Sequence, residues 1–179
     1  MSNILVAYFS ATGTTKRAAK GLAEALGADT FEIVPQTPYT STDLNWNDST
    51  SRSTSEMNDE ASRPPISGTV DGMASYDAVF VGFPIWWYTE PRIIDTFLES
   101  YDFLGKTIVP FATSGGSGLG KAPERMQRIA TGSTVAAGRL LNGHQNPNEL
   151  RVLLIQKLLE QIFHIRTYAH RTKALGDEF

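Results

Sequence analysis

Ile4-Leu5-Val6-Ala7-Tyr8-Phe9-Ser10-Ala11-Thr12-Gly13-Thr14-Thr15 is the stretch whose reading decides the fold. Its first half is apolar and aromatic, too short for a free-standing helix and suited to a buried strand. Its second half gathers four hydroxyls (Ser10, Thr12, Thr14, Thr15) around Gly13, with no carboxylate among them. Lys16 to Leu26 then carries Ala18, Leu22, Ala25 and Leu26 as a helical stripe, ended by Gly27. A strand that turns directly into a helix leaves several backbone N–H groups unpaired at the helix start. Those donors, with the positive end of the helix dipole, suit a bound phosphate. A helix cap needs one hydroxyl, and four argue for a ligand. The pattern is neither a Walker A loop nor a GxGxxG fingerprint.

Outward from this stretch, strands and helices alternate. Phe31–Val34 reads as a short strand closed by Pro35, Asp77–Pro84 as a central strand apolar on both faces, and Thr107–Ala112 and Thr134–Leu141 as two more. Between them, Pro91–Leu98 reads as a helix capped by Thr89, with Ile93, Ile94, Phe97 and Leu98 inward, and Pro123–Ala130 as a shorter one. Five strands alternating with helices predict an α/β fold, a doubly wound parallel sheet with right-handed crossovers. One polar excursion interrupts the rhythm, from about Gln36 to Pro65. A long loop in a compact domain is usually functional or disordered, and Tyr39 and Trp46 favour function. The pattern allows a helical turn or two over Glu56–Ser62.

The tail opens on a capping box, Asn146-Pro147-Asn148-Glu149, and continues with an apolar stripe, Leu150, Leu154, Leu158, Ile162 and Ile165. The expectation is one domain over residues 1–179, with a core of about residues 3–165. Residues 166–179 read as a frayed end or as an arm packing on another subunit, the first being favoured because the apolar face stops near Ile165. The oligomeric state is left open.

Composition excludes several classes. A chain of 179 residues at 41% hydrophobic can bury one sizeable core. A net charge of −3 argues against nucleic acid as the main partner. No apolar run is long enough to span a membrane, and the N-terminus enters a strand without a basic leader, so the cytoplasm is the expected compartment. With no cysteine there is no thiolate nucleophile or Cys metal site. The three histidines (His144, His164, His170) fall far along the chain from the hydroxyl loop, against a His-centred triad or zinc site. No catalytic residue and no metal ligand is assigned.

In an open parallel sheet, ligands sit beyond the carboxyl ends of the strands where the strand order reverses. Three distinctive loops fall at such ends. The first is Ser10–Thr15. The second is Pro84-Ile85-Trp86-Trp87-Tyr88, three consecutive aromatics that suit stacking on a flat ring. The third is Thr113-Ser114-Gly115-Gly116-Ser117-Gly118-Leu119-Gly120, whose glycines let backbone amides approach a planar ligand. Phosphate at one loop and a flat ring between two others describe flavin mononucleotide (FMN). Two rivals fail on chemistry. Gly115–Ala122 is one residue from a P-loop but has no hydroxyl for Mg²⁺ at Ala122. A receiver-type acidic pocket is missing from the ends of the first and third strands.

The residues of these three loops, in this order, resemble the FMN loops of flavodoxin-like proteins over roughly residues 3–142. The resemblance implies a flavodoxin-like five-stranded parallel sheet of order 2-1-3-4-5, counted in parallel strands. It implies FMN as cofactor, with Ser10, Thr12, Gly13, Thr14 and Thr15 on the phosphate. Pro84, Ile85, Trp86, Trp87 and Tyr88 would lie along the isoalloxazine, and Thr113, Ser114, Gly115 and Gly116 along its edge. The stretch from Tyr39 to Trp46 resembles a cover over the flavin.

Two function classes follow from the resemblance. One is a redox carrier that docks on partner proteins. The other is an NAD(P)H-dependent oxidoreductase moving two electrons to quinones or similar small-molecule acceptors. Residues 83–89 and 111–120 contain no Lys or Arg, which favours a low potential for full reduction. Many flavodoxins have a glycine in the aromatic loop where a peptide turns over, and this chain has none from Phe83 to Leu104. A non-glycine residue there loses about 1–2 kcal/mol on taking positive φ, which leans toward two-electron chemistry. No site for an NAD(P)H 2′-phosphate is evident, and Arg92 and Arg139 read as surface charges.

Overall fold

The computed structural model describes residues 3–143. The expectations for the tail, from the capping box at Asn146 to Phe179, lie outside them. Strand β1 (Ile4–Tyr8) runs through the hydroxyl loop into helix α1 (Thr14–Leu26) and returns as β2 (Asp29–Glu32). After the polar excursion come β5 (Ala78–Pro84), α3 (Arg92–Glu99), β6 (Thr107–Thr113) and α4 (Ala122–Ile129). The fifth parallel strand arrives in two pieces, β7 (Thr134–Val135) and β8 (Arg139–Leu140). The sheet order is β2-β1-β5-β6-β7, with β8 also on β6, and every pairing in it is parallel. Counted in parallel strands this is 2-1-3-4-5, as expected.

The sheet buries both faces, as a parallel sheet must. Leu5, Ala7, Phe9, Val79, Val81 and Phe83 point to the face covered by Ile93, Ile94, Phe97 and Leu98 of α3 and by Met126 of α4. Val6 and Phe80, of the opposite parity and fully buried, belong to the other face with α1. Helix α1 begins two residues earlier than its apolar stripe suggests, and it buries Thr15, Ala19, Leu22 and Ala23. The buried face is thus turned from the expected one, and Ala18, Ala25 and Leu26 are only half-buried.

Other boundaries move for identifiable reasons. The second strand is Asp29–Glu32 and not Phe31–Val34, because it must stay in register with β1, from Leu5 opposite Asp29 to Tyr8 opposite Glu32. Val34–Pro35 instead forms a separate antiparallel pair, β3, with β4 (Ile66–Ser67). That pair closes the base of the polar excursion. Within the excursion, α2 spans Arg52–Asn58 and not Glu56–Ser62, because Ser51 supplies an N-cap, accepting from the Thr54 N–H. Thr89 does not cap α3; the N-cap position is Pro91, and the Thr89 hydroxyl donates to Glu90.

The break between β7 and β8 lies opposite a proline. Ala136 and Leu141 donate to the carbonyls of Ile108 and Ala112, so the even-numbered residues of β6 face this flank. Pro110 is the even residue between them and has no N–H to offer. The partner strand bulges by one residue at that point, and Gly138, at φ 71°, packs on the Pro110 carbonyl.

Candidate functional site

The carboxyl ends of β1, β5, β6 and β8 open onto a chamber of about 440 Å³. From the first loop it is lined by Ser10, Ala11, Thr12, Thr14 and Thr15; from the second by Pro84, Ile85 and Trp86; from the third by Thr113, Ser114 and Gly115. Leu44 and Asn142 complete it. Gly13 and Gly116 are not part of the lining, although a chain neighbour of each is.

In the first loop, Gly13 takes φ 85° at the N-cap position of α1 and has no side chain of its own to cap the helix. A Cβ on Gly13 would meet nothing within 4 Å, so the glycine is required by the backbone conformation and not by crowding. The four hydroxyls divide into two pairs. Ser10 Oγ accepts from the Lys16 N–H at 3.1 Å. Thr15, fully buried, shares a 2.8 Å hydrogen bond with the Thr113 hydroxyl and so ties the first loop to the third. Thr12 and Thr14 are exposed at the chamber, with no side-chain hydrogen bond among the described residues. Lys16, the nearest cation in sequence, is paired with Glu32 at 2.5 Å. No lining residue is charged, so a phosphate here would meet hydroxyls, backbone N–H groups and a helix dipole.

The third loop is held from a place the sequence does not advertise. Ser114 donates its N–H to the Asn142 Oδ1 at 2.9 Å and accepts from the Asn142 Nδ2 at 2.8 Å. Asn142 follows β8, which lies beside β6, so the two strand exits are neighbours. Leu44 comes from the Tyr39–Trp46 stretch expected as a cover, although the residue itself was not singled out. For Asn142 the only signal was topological: adjacent parallel strands end at the same rim.

The second loop is a tight turn. Trp86 and Thr89 exchange both backbone hydrogen bonds at 3.0 Å, and the two residues between them have φ of 47° (Trp87) and 62° (Tyr88). Positive φ at both central positions is the type I′ arrangement, which ordinarily selects Asn-Gly. Here two aromatics adopt it, at a strain of order 1–2 kcal/mol for each. The turn is clamped from the third loop: the Tyr88 carbonyl accepts from the Lys121 N–H at 3.1 Å. It also lies so close to Gly120 (φ 56°) that a Cβ there would overlap it.

Trp86 packs inward, edge-on to Phe9 and Tyr39 with ring centres 5.6 and 5.4 Å away. Tyr39 is therefore a packing residue. Its hydroxyl donates to Glu56, and the Arg52 guanidinium lies 4.0 Å over its ring, which pins the polar excursion to the core. Trp46, Trp87 and Tyr88 do not reach the first chamber. They line a second one of about 370 Å³ with Leu44, Ser53, Ile85 and Trp86. Leu44, Ile85 and Trp86 are common to both, so the two chambers adjoin.

Immediately after the turn lies an ionic cluster. Glu90 and Asp95 have no exposed surface, and Arg125 reaches both, at 2.8 and 3.1 Å. Burial pushes the Glu90 carboxyl up to about 7, and burial also raises Asp95. Arg92, read from sequence as a surface charge, is instead buried, donating to the Met57 carbonyl at 3.0 Å beside Asp95. Arg139 is exposed.

Among the described residues, no helix is long and apolar enough to cross a membrane. A family model described as Flavodoxin matches residues 3–157. No curated protein matches the chain. Among solved structures, a candidate flavoprotein from Bacteroides eggerthii is 49% identical with a TM-score of 0.80, covering 86% of this chain and 96% of its own. Another from Bacteroides uniformis is 48% identical with a TM-score of 0.80, covering 86% and 97%. A Lactobacillus acidophilus flavoprotein, solved in complex with FMN, is 21% identical over 78% of this chain and 93% of its own, with a TM-score of 0.63. At that identity the likeness is one of fold.

Proposed function

Because this chain belongs to the flavodoxin family, we propose that it binds FMN in the first chamber and serves as an electron-transfer protein. The observation that carries the reading is the chamber itself. A neutral donor set at the start of α1 and an aromatic turn share one cleft at the rim of the sheet. This donor set fits a phosphate monoester, and the lining beyond it fits a flat, uncharged ring system. Bound there, FMN would supply the redox chemistry, taking up and releasing electrons.

The chain's own residues do the rest. Thr12 and Thr14 present free hydroxyls to the phosphate, and Gly13 sets the turn that aims the α1 backbone at it. Ser10 and Thr15 hold that loop in shape through Lys16 and Thr113. Pro84, Ile85 and Trp86 would shield a bound ring from water, and Ser114 and Gly115, held by Asn142, would border it. No cation lines the chamber, so an anionic reduced ring would gain little there, which favours a low potential.

A second reading, an oxidoreductase that takes electrons from NAD(P)H and passes them in pairs to a small acceptor, is favoured by one observation. The second chamber adjoins the first and is large enough for a second small molecule. Titrating the apo chain with FMN tests the cofactor: quenching of flavin fluorescence at micromolar FMN is expected, and a chain that ignores FMN overturns it. Anaerobic photoreduction and addition of NADPH alone then separate the two roles. A carrier shows a half-reduced spectrum and is not bleached by NADPH; an oxidoreductase is bleached.

A further inference from the structure

We propose that Asn142 is a modification site: it deamidates through Gly143 whenever the third loop opens, and the product holds a flavin less tightly. Asn142-Gly143 is the single Asn-Gly pair in the chain. Asparagine is among the thermolabile residues, and a following glycine has no side chain to shield its own nitrogen. Both residues are exposed, Gly143 takes φ 74°, and a Cβ on it would meet nothing within 4 Å. Water and the space for ring closure are therefore at hand. The Gly143 nitrogen attacks the side-chain carbonyl carbon of Asn142 and forms a C–N bond. The bond to the side-chain nitrogen breaks, and ammonia leaves with the Gly143 amide proton. Water then opens the cyclic imide at either carbonyl, giving aspartate or isoaspartate. One water enters, one ammonia leaves, and nothing is oxidised or reduced.

The fold sets how often this happens. The Leu141 N–H, donating to the Ala112 carbonyl, makes the last backbone rung between β8 and β6 among the described residues. The Asn142 side chain supplies the next rung, accepting from the Ser114 N–H at 2.9 Å and donating to the Ser114 carbonyl at 2.8 Å. While both bonds hold, the side chain cannot swing back to its own chain neighbour. Ser114 is also the pivot of its loop, because its Oγ accepts from the Gly116 and Ser117 N–H groups. An occupant beside Ser114 and Gly115 favours the closed loop by mass action and so protects Asn142. That protection rests on the FMN reading; the reactive pair and its hold by Ser114 do not. Aspartate at 142 would set an acceptor where the amide nitrogen now donates to the Ser114 carbonyl. It would also bring a full charge to a chamber whose lining has none. Isoaspartate lengthens the backbone by one carbon and moves the carboxylate off the rung.

The test follows residue 142 by peptide mass spectrometry in the full chain, kept in warm, mildly alkaline buffer unloaded, loaded with FMN, or unfolded in urea. Aspartate and isoaspartate are both expected, fastest in urea and about tenfold slower or more in the unloaded folded chain. FMN at a hundredfold excess over its Kd should slow the reaction about tenfold further. In fluorescence titration, Asn142→Asp should weaken riboflavin about tenfold and FMN at least as much. Chain deamidated in place, separated by its extra negative charge, gives the same comparison if the variant does not fold. The proposal is overturned if Asn142 stays intact in urea, if aspartate forms without isoaspartate, or if the folded chain reacts as fast as the unfolded one. It is also overturned if bound FMN gives no protection, or if the converted chain binds both flavins as tightly as before. A chain that binds neither flavin before conversion counts against the cofactor reading instead, and the folded and urea rates then decide the site.

Discussion

The hydroxyl loop and the aromatic turn meet the same structural demand in opposite ways. Each must bend the chain through left-handed backbone at a strand exit. The hydroxyl loop puts glycine at its single left-handed position, with open space around it, and needs no support beyond Ser10 and Thr15. The aromatic turn puts Trp87 and Tyr88 at its two left-handed positions and is held by its surroundings: Gly120 against its carbonyl and a buried ionic cluster one residue on. Where the ligand is met by backbone and hydroxyls, the loop can be relaxed. Where side chains must be presented, strain is accepted and neighbouring contacts stabilise it.

The sharpest way to break this contrast is Gly120→Ala. A methyl group there would overlap the Tyr88 carbonyl, so a loss of about 3 kcal/mol or more in urea unfolding is expected. A loss below about 1 kcal/mol would mean that the turn is not clamped. Next comes Glu90→Gln. With its carboxyl pushed up to about 7 from an ordinary 4.5, folded Glu90 keeps a proton between those values that the unfolded chain has lost. Stability should therefore fall as pH rises through that window and stay low above it. The variant should flatten this fall by about 2–3 kcal/mol between pH 4.5 and pH 7.5. An unchanged pH profile would remove Glu90 from the account.

Two smaller effects probe the relaxed loop and the strained one. Thr12→Ala should weaken FMN by about 1–2 kcal/mol in fluorescence titration, the loss of a hydrogen bond to a charged group, and leave riboflavin untouched. Equal losses for both flavins would place the phosphate elsewhere. Tyr88→Gly should raise stability by up to about 1 kcal/mol, since glycine relieves the left-handed strain and the exposed ring packs on little. A clear loss instead would show that the ring supports the turn.

The sheet order and all three loops were legible because they depend on local pattern. A buried parallel strand is a short apolar run, and its exit is marked by a change of composition. What escaped depends on partners distant in the chain. Asn142 holds Ser114 across 28 residues, and nothing around Asn142 announces it. Arg92 looks like any helix-start cation until its carbonyl partner on α2 is seen. Phe31–Val34 has the apolar look of a strand, but the register of β1 selects Asp29–Glu32. Trp87 and Tyr88, read as partners of the flavin ring, line the adjoining chamber and not the first. The absence of glycine in that loop was visible in the sequence; that aromatics would take glycine's conformation was not.

The proline in β6 has a consequence for how the molecule behaves in company. A long, flat strand at the flank of a sheet offers its unpaired amides and carbonyls to any extended chain that drifts past, and so invites aggregation. Among the described residues β7 and β8 form one flank of the sheet, and there that template is broken. Pro110 removes one rung, the partner strand bulges to accommodate it, and the two remaining runs are two residues each. An incoming strand would find its register lost after two steps. The same irregularity that delivers Asn142 to the rim of the cleft thus keeps this side of the sheet from recruiting strangers.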